Sequence, residues 1–261
     1  MFLDKDILNF IEKSILEKLD IVVTCVINTQ GSTYSKAGNI LVFNSKNEFC
    51  GVLGSPYLHN EIFELSKKSL ESREIQTFKS IPKDKSSNHG FSSYKIEPFF
   101  YDENYFEISK YIKKPYSLLI FGSASHTTSL IKMANIMGWE TTIIDIKIDE
   151  KFVKEADNKI ELGNLDDIFK LDLNSFDASI ILSHNPKTDK SYLKALISSN
   201  IKYIGMMGNK KNMQNIKKEF ALENSDRFFA PIGFDIGGNS HQAIALSICA
   251  QIEAKKNGKL K

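Results

Sequence analysis

The spacing of apolar residues along the first half of the chain predicts a small mixed domain. Apolar side chains at three- and four-residue steps, behind the acidic Asp4, predict an amphipathic helix over 4–18. The Ser-, Lys- and Pro-rich stretch over 80–92 predicts a surface loop. We therefore expect an N-terminal α/β cap domain over 1–105. Its other predicted elements are short apolar runs between polar turns: strands at 21–27, 40–43, 49–53 and 94–101, and a helix at 61–72.

The pattern changes after Pro115. Apolar runs that predict strands now alternate with helix-like stretches: strands at 117–121, 141–145, 178–183 and 201–205, and helices up to 137 and over 187–199 and 209–220. Such alternation is typical of a parallel sheet with helices on both faces. We expect a Rossmann-like C-terminal domain with a mostly parallel sheet over 116–261, so the fold class is α/β.

Composition narrows the class of protein without indicating a function. The 261 residues are 42% hydrophobic, 25% charged and 11% aromatic, which is typical of a globular chain. The net charge of +2 gives no reason to expect a nucleic-acid partner, and no apolar run reaches the roughly 18 residues that span a bilayer. Cys25, Cys50 and Cys249 form no CxxC motif, so we expect free thiols, with Cys25 in the core, and a cytoplasmic protein. Because Arg73 and Arg227 are the only arginines, a phosphate site would need backbone N–H groups, helix ends and Lys.

The segment from Gly122 to Asp145 has the spacing of a nucleotide-binding βαβ unit. A glycine turn precedes a helix, and an acid that can hold a ribose hydroxyl follows about 20 residues on. The second and third glycine positions carry Ala124 and Thr127, whose Cβ atoms crowd the place of the phosphate. Two interpretations stay open: a dinucleotide site in an NAD(P)-binding oxidoreductase, and a ligand-free turn whose helix is capped by Ser125. In the second, Asp145 bonds to a neighbouring loop rather than to ribose.

Seven segments form an ordered set of motifs along the chain. They are Gly31-Ser32-Thr33 with Gly38, Gly51-Val52-Leu53-Gly54, Glu97-Pro98, Phe121-Gly122 with Asp145, Ser183-His184-Asn185 with Asp189, Tyr203-Ile204-Gly205 with Gly208, and Pro231-Ile232-Gly233-Phe234-Asp235-Ile236-Gly237. This set resembles the XdhC/CoxI family, the accessory proteins of xanthine dehydrogenase and related molybdenum hydroxylases. The resemblance covers nearly the whole chain.

The resemblance implies a protein that binds a molybdopterin-type cofactor, promotes its sulfuration and delivers it to an apo-enzyme, as a chaperone rather than a catalyst. Its partner would be a molybdenum hydroxylase or a cofactor-sulfurating enzyme, and we expect a homodimer with no nucleic-acid or membrane partner. No residue is assigned to catalysis or to a metal. The implied cofactor-binding residues lie in loops and turns: Gly31, Ser32, Thr33, Gly54, Ser55, Gly122, Asp145, His184, Asp189 and Asp235.

Several positions depart from the family pattern where a ligand would be bound. Tyr34-Ser35 replaces a Pro-Arg pair, and Asn88-His89-Gly90 replaces a Cys-Gly-Gly, so an arginine and a thiol are absent. A ligand-free scaffold that only docks to a partner is therefore a third hypothesis. Imidazole binds Zn, Ni and Cu, but the chain has no HxxxH or HxH pair, so no metal site is predicted. Histidines whose role stays open stand at or near the motif positions: His59, His89, His126, His184 and His241.

Overall fold

The computed structural model describes residues 4–81 and 90–260. It divides into two units, Met1–Pro115 and Tyr116–Lys261, and each is described by itself. Most of the predicted loop over 80–92, including His89, lies outside the described residues. In the part of the chain that the structure describes, no helix combines the length and apolarity needed to cross a bilayer.

The first unit contains an antiparallel sheet with one helix against each face. Its elements are α1 (Lys5–Leu16), β1 (Ile21–Gln30), β2 (Ile40–Asn44), β3 (Phe49–Cys50), α2 (Pro56–Ser72), β4 (Gln76–Ser80), β5 (Phe91–Phe99) and a 3₁₀ helix (Tyr105–Lys110). The strand order is β3-β2-β1-β5-β4. The helix predicted over 61–72 begins earlier, because Ser55 caps it and Pro56 fits its first turn.

Alternating residues of β1 separate the two cores of this unit. Ile21 and Val23 face the core that α1 covers, while Val22 faces the core under α2. This alternation is the period-2 pattern of a strand buried on both faces. Cys25 is half-buried and packs at the margin of the α1 core. Its neighbour across the strand pair is Lys95, a charged residue that keeps this end of the sheet near solvent.

Glu97 of β5 is a buried carboxylate with three donors. Its oxygens lie 2.9 Å from Lys95 Nζ, 2.9 Å from Lys110 Nζ and 2.7 Å from the donating Tyr111 hydroxyl. Burial alone would raise the pKa of Glu97, but these hydrogen bonds outweigh it and hold the pKa below its ordinary value. The network fastens the 3₁₀ helix and the residue after it to the sheet.

The second unit contains a six-stranded parallel sheet of order β11-β10-β9-β6-β7-β8. Counted from its own first strand, this is the 3-2-1-4-5-6 order of Rossmann folds, so the predicted Rossmann-like α/β domain is confirmed. Its elements are β6 (Ser117–Phe121), α3 (Ser125–Ile136), β7 (Glu140–Asp145), α4 (Glu150–Val153), β8 (Asn158–Glu161), 3₁₀ helices (Leu165–Lys170 and Leu173–Ser175), β9 (Ala178–Ile181), α5 (Pro186–Ile197), β10 (Tyr203–Met206), α6 (Lys210–Glu219), β11 (Phe228–Phe229) and α7 (His241–Lys256).

Helices cover both faces of the parallel sheet. On one face α3 and α7 pack together over a core that includes Leu130, Trp139 and Ile248. On the other face α5 and α6 cover a core that includes Tyr192 and Met213. A parallel sheet needs this double cover because its strands are apolar on both sides.

Candidate binding site at the carboxyl edge of the parallel sheet

The turns after β6 and β9 meet at the middle of the parallel sheet. These strands are neighbours, but the helices that follow them, α3 and α5, lie on opposite faces, so the two connections diverge and leave a crevice. Gly122 has φ +109°, and a Cβ there would lie 2.8 Å from Ser183 Cα. Glycine is therefore required for the close approach of the two turns.

Asp145, predicted as a ribose acceptor, is engaged by its own chain. Its carboxylate accepts hydrogen bonds from Ser123 N at 2.9 Å, Ser123 Oγ at 2.8 Å and Ile146 N at 2.8 Å. Ser123 Oγ in turn accepts from Asp149 N at 3.1 Å. One oxygen of Asp145 thus holds the turn after β6, as the second interpretation of the sequence proposed, and the other holds the chain directly after β7.

The first turn of α3 begins without a side-chain cap. Ala124 is the N-cap residue and makes no capping hydrogen bond, whereas Ser125 is already helical. The prediction that Ser125 caps this helix is therefore wrong. The hydroxyl of Thr127 donates to Gly122 O at 3.2 Å, so the third glycine position of the nucleotide pattern ties the turn to the helix.

Three of the histidines meet beside this crevice. The His126 ring lies 4.6 Å from the His184 ring and 6.2 Å from the His241 ring, centroid to centroid. His126 Nε2 donates to Leu182 O at 2.9 Å, and burial lowers the pKa of His126. His184 has φ +53°, a left-handed conformation that is uncommon outside glycine. Among residues 4–81 and 90–260, no group of three or more His, Cys, Asp or Glu side chains is arranged to hold a metal ion.

A groove of about 700 Å³ opens between α5 and α6, beyond the ends of β9 and β10. Its size falls within the roughly 300–1,000 Å³ of small-molecule sites. The lining includes His184, Asp189 and Lys190 from the α5 side. On the α6 side it includes three methionines and three asparagines: Met206, Met207, Met213, Asn209, Asn212 and Asn215. From the sequence alone, Met206 and Met207 are interpreted as core or interface residues, and on this side of the groove only Gly208, in the turn after β10, belongs to a family motif.

Asp189 lies on the α5 wall of the groove and is only 8% exposed. Ser183 Oγ donates to its carboxylate. Burial raises the pKa of Asp189, although the Ser183 hydrogen bond acts against that shift. The neighbouring lysine does not neutralise it, because Lys190 Nζ lies 2.7 Å from Glu219 Oε1 on the opposite wall.

The remaining predicted residue of the second unit, Asp235, lies in an exposed loop and does not line the groove. Its carboxylate accepts from Gly237 N at 3.2 Å. The loop that carries it includes Phe234 and Ile236, which are 39% and 50% exposed. Asp235 therefore does not share the groove with Asp189 and His184.

Two neighbouring loops of the first unit carry the other predicted residues. Gly31 approaches Gly90 so closely that a Cβ would lie 3.0 Å from Gly90 Cα, and Gly90 N donates to Ser32 O at 2.7 Å. The Thr33 hydroxyl donates to Ser35 O at 2.9 Å. Gly31, Ser32 and Thr33 therefore make contacts that stabilise the conformation of their own loop.

The second of these loops runs from 51 to 55, and hydrogen bonds hold it at Leu53 and at Ser55. Ser35 Oγ donates to Leu53 O at 2.9 Å, and the His59 ring accepts from Leu53 N at 3.1 Å. Ser55 accepts from Leu58 N at 3.3 Å as the cap of α2, directly after Gly54. Burial lowers the pKa of His59, which favours the neutral ring that can accept this bond. His59 thus has a structural role.

The fold and the edge site together define a Rossmann-type binding domain joined to a smaller α/β unit. Residues 118–252, just over half of the chain, match the family model described as the XdhC Rossmann domain. The chain belongs to this family, which confirms the resemblance drawn from its motifs.

Known relatives are distant in sequence. The chain is 23% identical over 138 residues to a probable xanthine dehydrogenase subunit from Bacillus subtilis, covering 52% of this chain and 41% of that protein. It is 21% identical over 242 residues to the uncharacterized protein YqeB of Escherichia coli, covering 89% of this chain and 43% of that protein. The chain thus spans about two fifths of the length of these relatives. A crystal structure described as a xanthine dehydrogenase from Bacillus halodurans has the same fold, with TM-score 0.82, 18% identity, and coverage of 99% of this chain and 97% of that one.

Proposed function

We propose that the chain is an accessory protein that binds a molybdopterin-type cofactor and assists its insertion or maturation in a molybdenum hydroxylase such as xanthine dehydrogenase. Family membership and the Bacillus subtilis relative, described as part of a probable xanthine dehydrogenase, support the class of client. The groove between α5 and α6 carries the proposal, because it lies at the carboxyl edge of the parallel sheet and shares His184 with the crevice between β6 and β9, where ligands of open α/β sheets bind. In this proposal the partner is the hydroxylase or a cofactor-sulfurating enzyme, and a homodimer stays a prediction.

The residues of the groove fit the pterin part of such a cofactor. A buried carboxylate and several side-chain amides can accept and donate hydrogen bonds along a heterocycle edge. The first turn of α3 has no side-chain cap, so its backbone N–H groups can donate hydrogen bonds to an anionic group. When bound, the cofactor would supply the molybdenum chemistry of its client, and the chain's own residues would bind it and shield it from water.

The proposal is tested by anaerobic titration of the purified chain with molybdopterin cofactor released from a molybdoenzyme. We expect saturable binding at micromolar concentrations, weakened by Asp189→Asn in the groove and unchanged by Asp226→Asn, at an exposed residue outside the groove lining. Absence of saturable binding to the folded chain overturns the proposal.

The alternative interpretation, a dinucleotide site at Gly122 and Asp145, makes a different prediction for the same purified chain. An NAD(P)-binding oxidoreductase would show a thermal shift with NAD(H) or NADP(H) that Asp145→Ala abolishes. We expect no such shift, because Ser123 and Ile146 already occupy the carboxylate of Asp145. A nucleotide shift together with no cofactor binding would replace the proposed function.

A further inference from the structure

The groove contains a buried carboxylate that pairs with no lysine or arginine among the described residues. The donors to Asp189 are the Ser183 hydroxyl and the Asn185 backbone N–H. The lysine next to it pairs with Glu219 across the groove. A buried carboxylate is costly unless donors satisfy its remaining lone pairs. The groove is therefore suited to a ligand that brings N–H donors to Asp189.

The remaining lining favours a flat, uncharged ligand over a phosphate. Three of the chain's six methionines line the groove, together with Ile216. Thioether side chains make favourable contacts with aromatic rings and adapt to their shape. The described lining has no arginine, and the pairing of Lys190 with Glu219 leaves this wall without an unpaired cation. A planar heterocycle with N–H groups at its edge can stack on the methionine side chains and donate hydrogen bonds to Asp189.

We propose that the groove recognises a 2-amino-4-oxopyrimidine edge, the edge shared by pterins and guanine, with Asp189 as its acceptor. This edge presents a ring N–H and an amino group side by side, which matches the two oxygens of one carboxylate. Hydrogen bonds to an ionised acceptor are stronger than neutral ones, so this pair would set specificity. Asn209, Asn212 and Asn215 lie on the opposite side of the groove, where amide groups can meet the 4-oxo group. The choice of a pterin, rather than guanine, as the ligand rests on the proposed function.

Equilibrium binding to the full chain tests the inference with three small probes. They are 6-methylpterin, guanosine, and lumazine, which has an oxo group where pterin has the 2-amino group. We expect 6-methylpterin to bind saturably and lumazine to bind at least about tenfold more weakly, because an unpaired buried acceptor costs affinity. Asp189→Asn should weaken pterin binding roughly 10- to 100-fold, whereas Asp226→Asn, at an exposed residue outside the groove lining, should leave it unchanged. If Asp189→Asn does not fold, judged by circular dichroism, the comparison of pterin with lumazine on the natural chain still decides.

The outcomes separate this inference from the proposed function. Preference for 6-methylpterin over both other probes supports the pterin source, and preference for guanosine supports the edge recognition while counting against a molybdopterin carrier. Equal binding of pterin and lumazine overturns the inference. Binding of intact molybdopterin cofactor that is indifferent to Asp189→Asn also overturns it and leaves the proposed function standing. No binding of 6-methylpterin or guanosine at millimolar concentration overturns it as well.

Discussion

Replacement of Asp145 by alanine separates a structural carboxylate from a nucleotide-binding one. Asp145 ends β7, and its two oxygens accept from two groups of Ser123 and from Ile146 N. Ser123 stands in the turn that leads to α3. If the role of Asp145 is to hold these segments together, Asp145→Ala should lower the free energy of unfolding. It should change no response to nucleotides.

The magnitude follows from the three lost acceptor contacts. Each hydrogen bond contributes about 1 kcal/mol net, and more when the acceptor is charged. Because Asp145 is partly exposed, water replaces some of the lost contacts, and we expect Asp145→Ala to lower the free energy of unfolding by about 2 kcal/mol. For a unit of this size, that loss lowers the melting temperature by roughly 4–8 °C.

The single tryptophan provides the assay. Trp139 is 1% exposed and lies in the same unit, so its fluorescence reports the unfolding of the parallel-sheet domain. Asp177 offers a matched control at the opposite, amino edge, where its carboxylate accepts from Ser117 N at 2.9 Å and Ser117 Oγ at 3.0 Å. Asp177→Ala should therefore destabilise the unit by a similar amount. An Asp145→Ala variant of unchanged stability that has lost a nucleotide-induced thermal shift would refute this reasoning.

Three further substitutions test the buried polar groups. The depressed pKa of Glu97 adds stability that is present above the ordinary glutamate pKa and is lost as pH falls through the lower, folded value. Urea unfolding from pH 6 to pH 3 should thus show a steeper loss for the natural chain than for Glu97→Gln, and equal slopes would contradict this. The buried Tyr192 hydroxyl has no partner among the described residues, so Tyr192→Phe should be neutral or stabilising by up to about 1 kcal/mol. In contrast, Tyr203→Phe removes a 2.7 Å bond to Gln251 and should cost about 1 kcal/mol in thermal unfolding; a larger loss in Tyr192→Phe than in Tyr203→Phe would be the wrong order.

The central strands were predictable because burial on both faces makes them continuous apolar runs. The predicted strands at 117–121 and 141–145 match β6 and β7 within a residue. In contrast, β8 escaped prediction because it is an edge strand with mostly exposed residues, and its sequence reads as polar. The pattern of apolar residues therefore predicts the central strands of this sheet but not its edge strand β8.

The candidate site was harder to predict, because its geometry depends on contacts between distant segments. Gly122 was read as a phosphate turn, whereas its lack of a side chain admits Ser183, 61 positions further along the chain. The methionines of the groove carry the same sequence signal as core residues, since one side of each packs in the core. His184 and Asp189 could be selected only through the family resemblance.

Hydrogen–deuterium exchange on the full chain, with and without anaerobic molybdopterin cofactor, tests the central claim most directly. We expect slower exchange on cofactor addition in the segments 183–190 and 206–216, which form the two walls of the groove. Asp189→Asn should remove this protection, and Asp226→Asn should retain it. Saturable cofactor binding that protects neither segment would contradict the claim that the groove between α5 and α6 is the binding site.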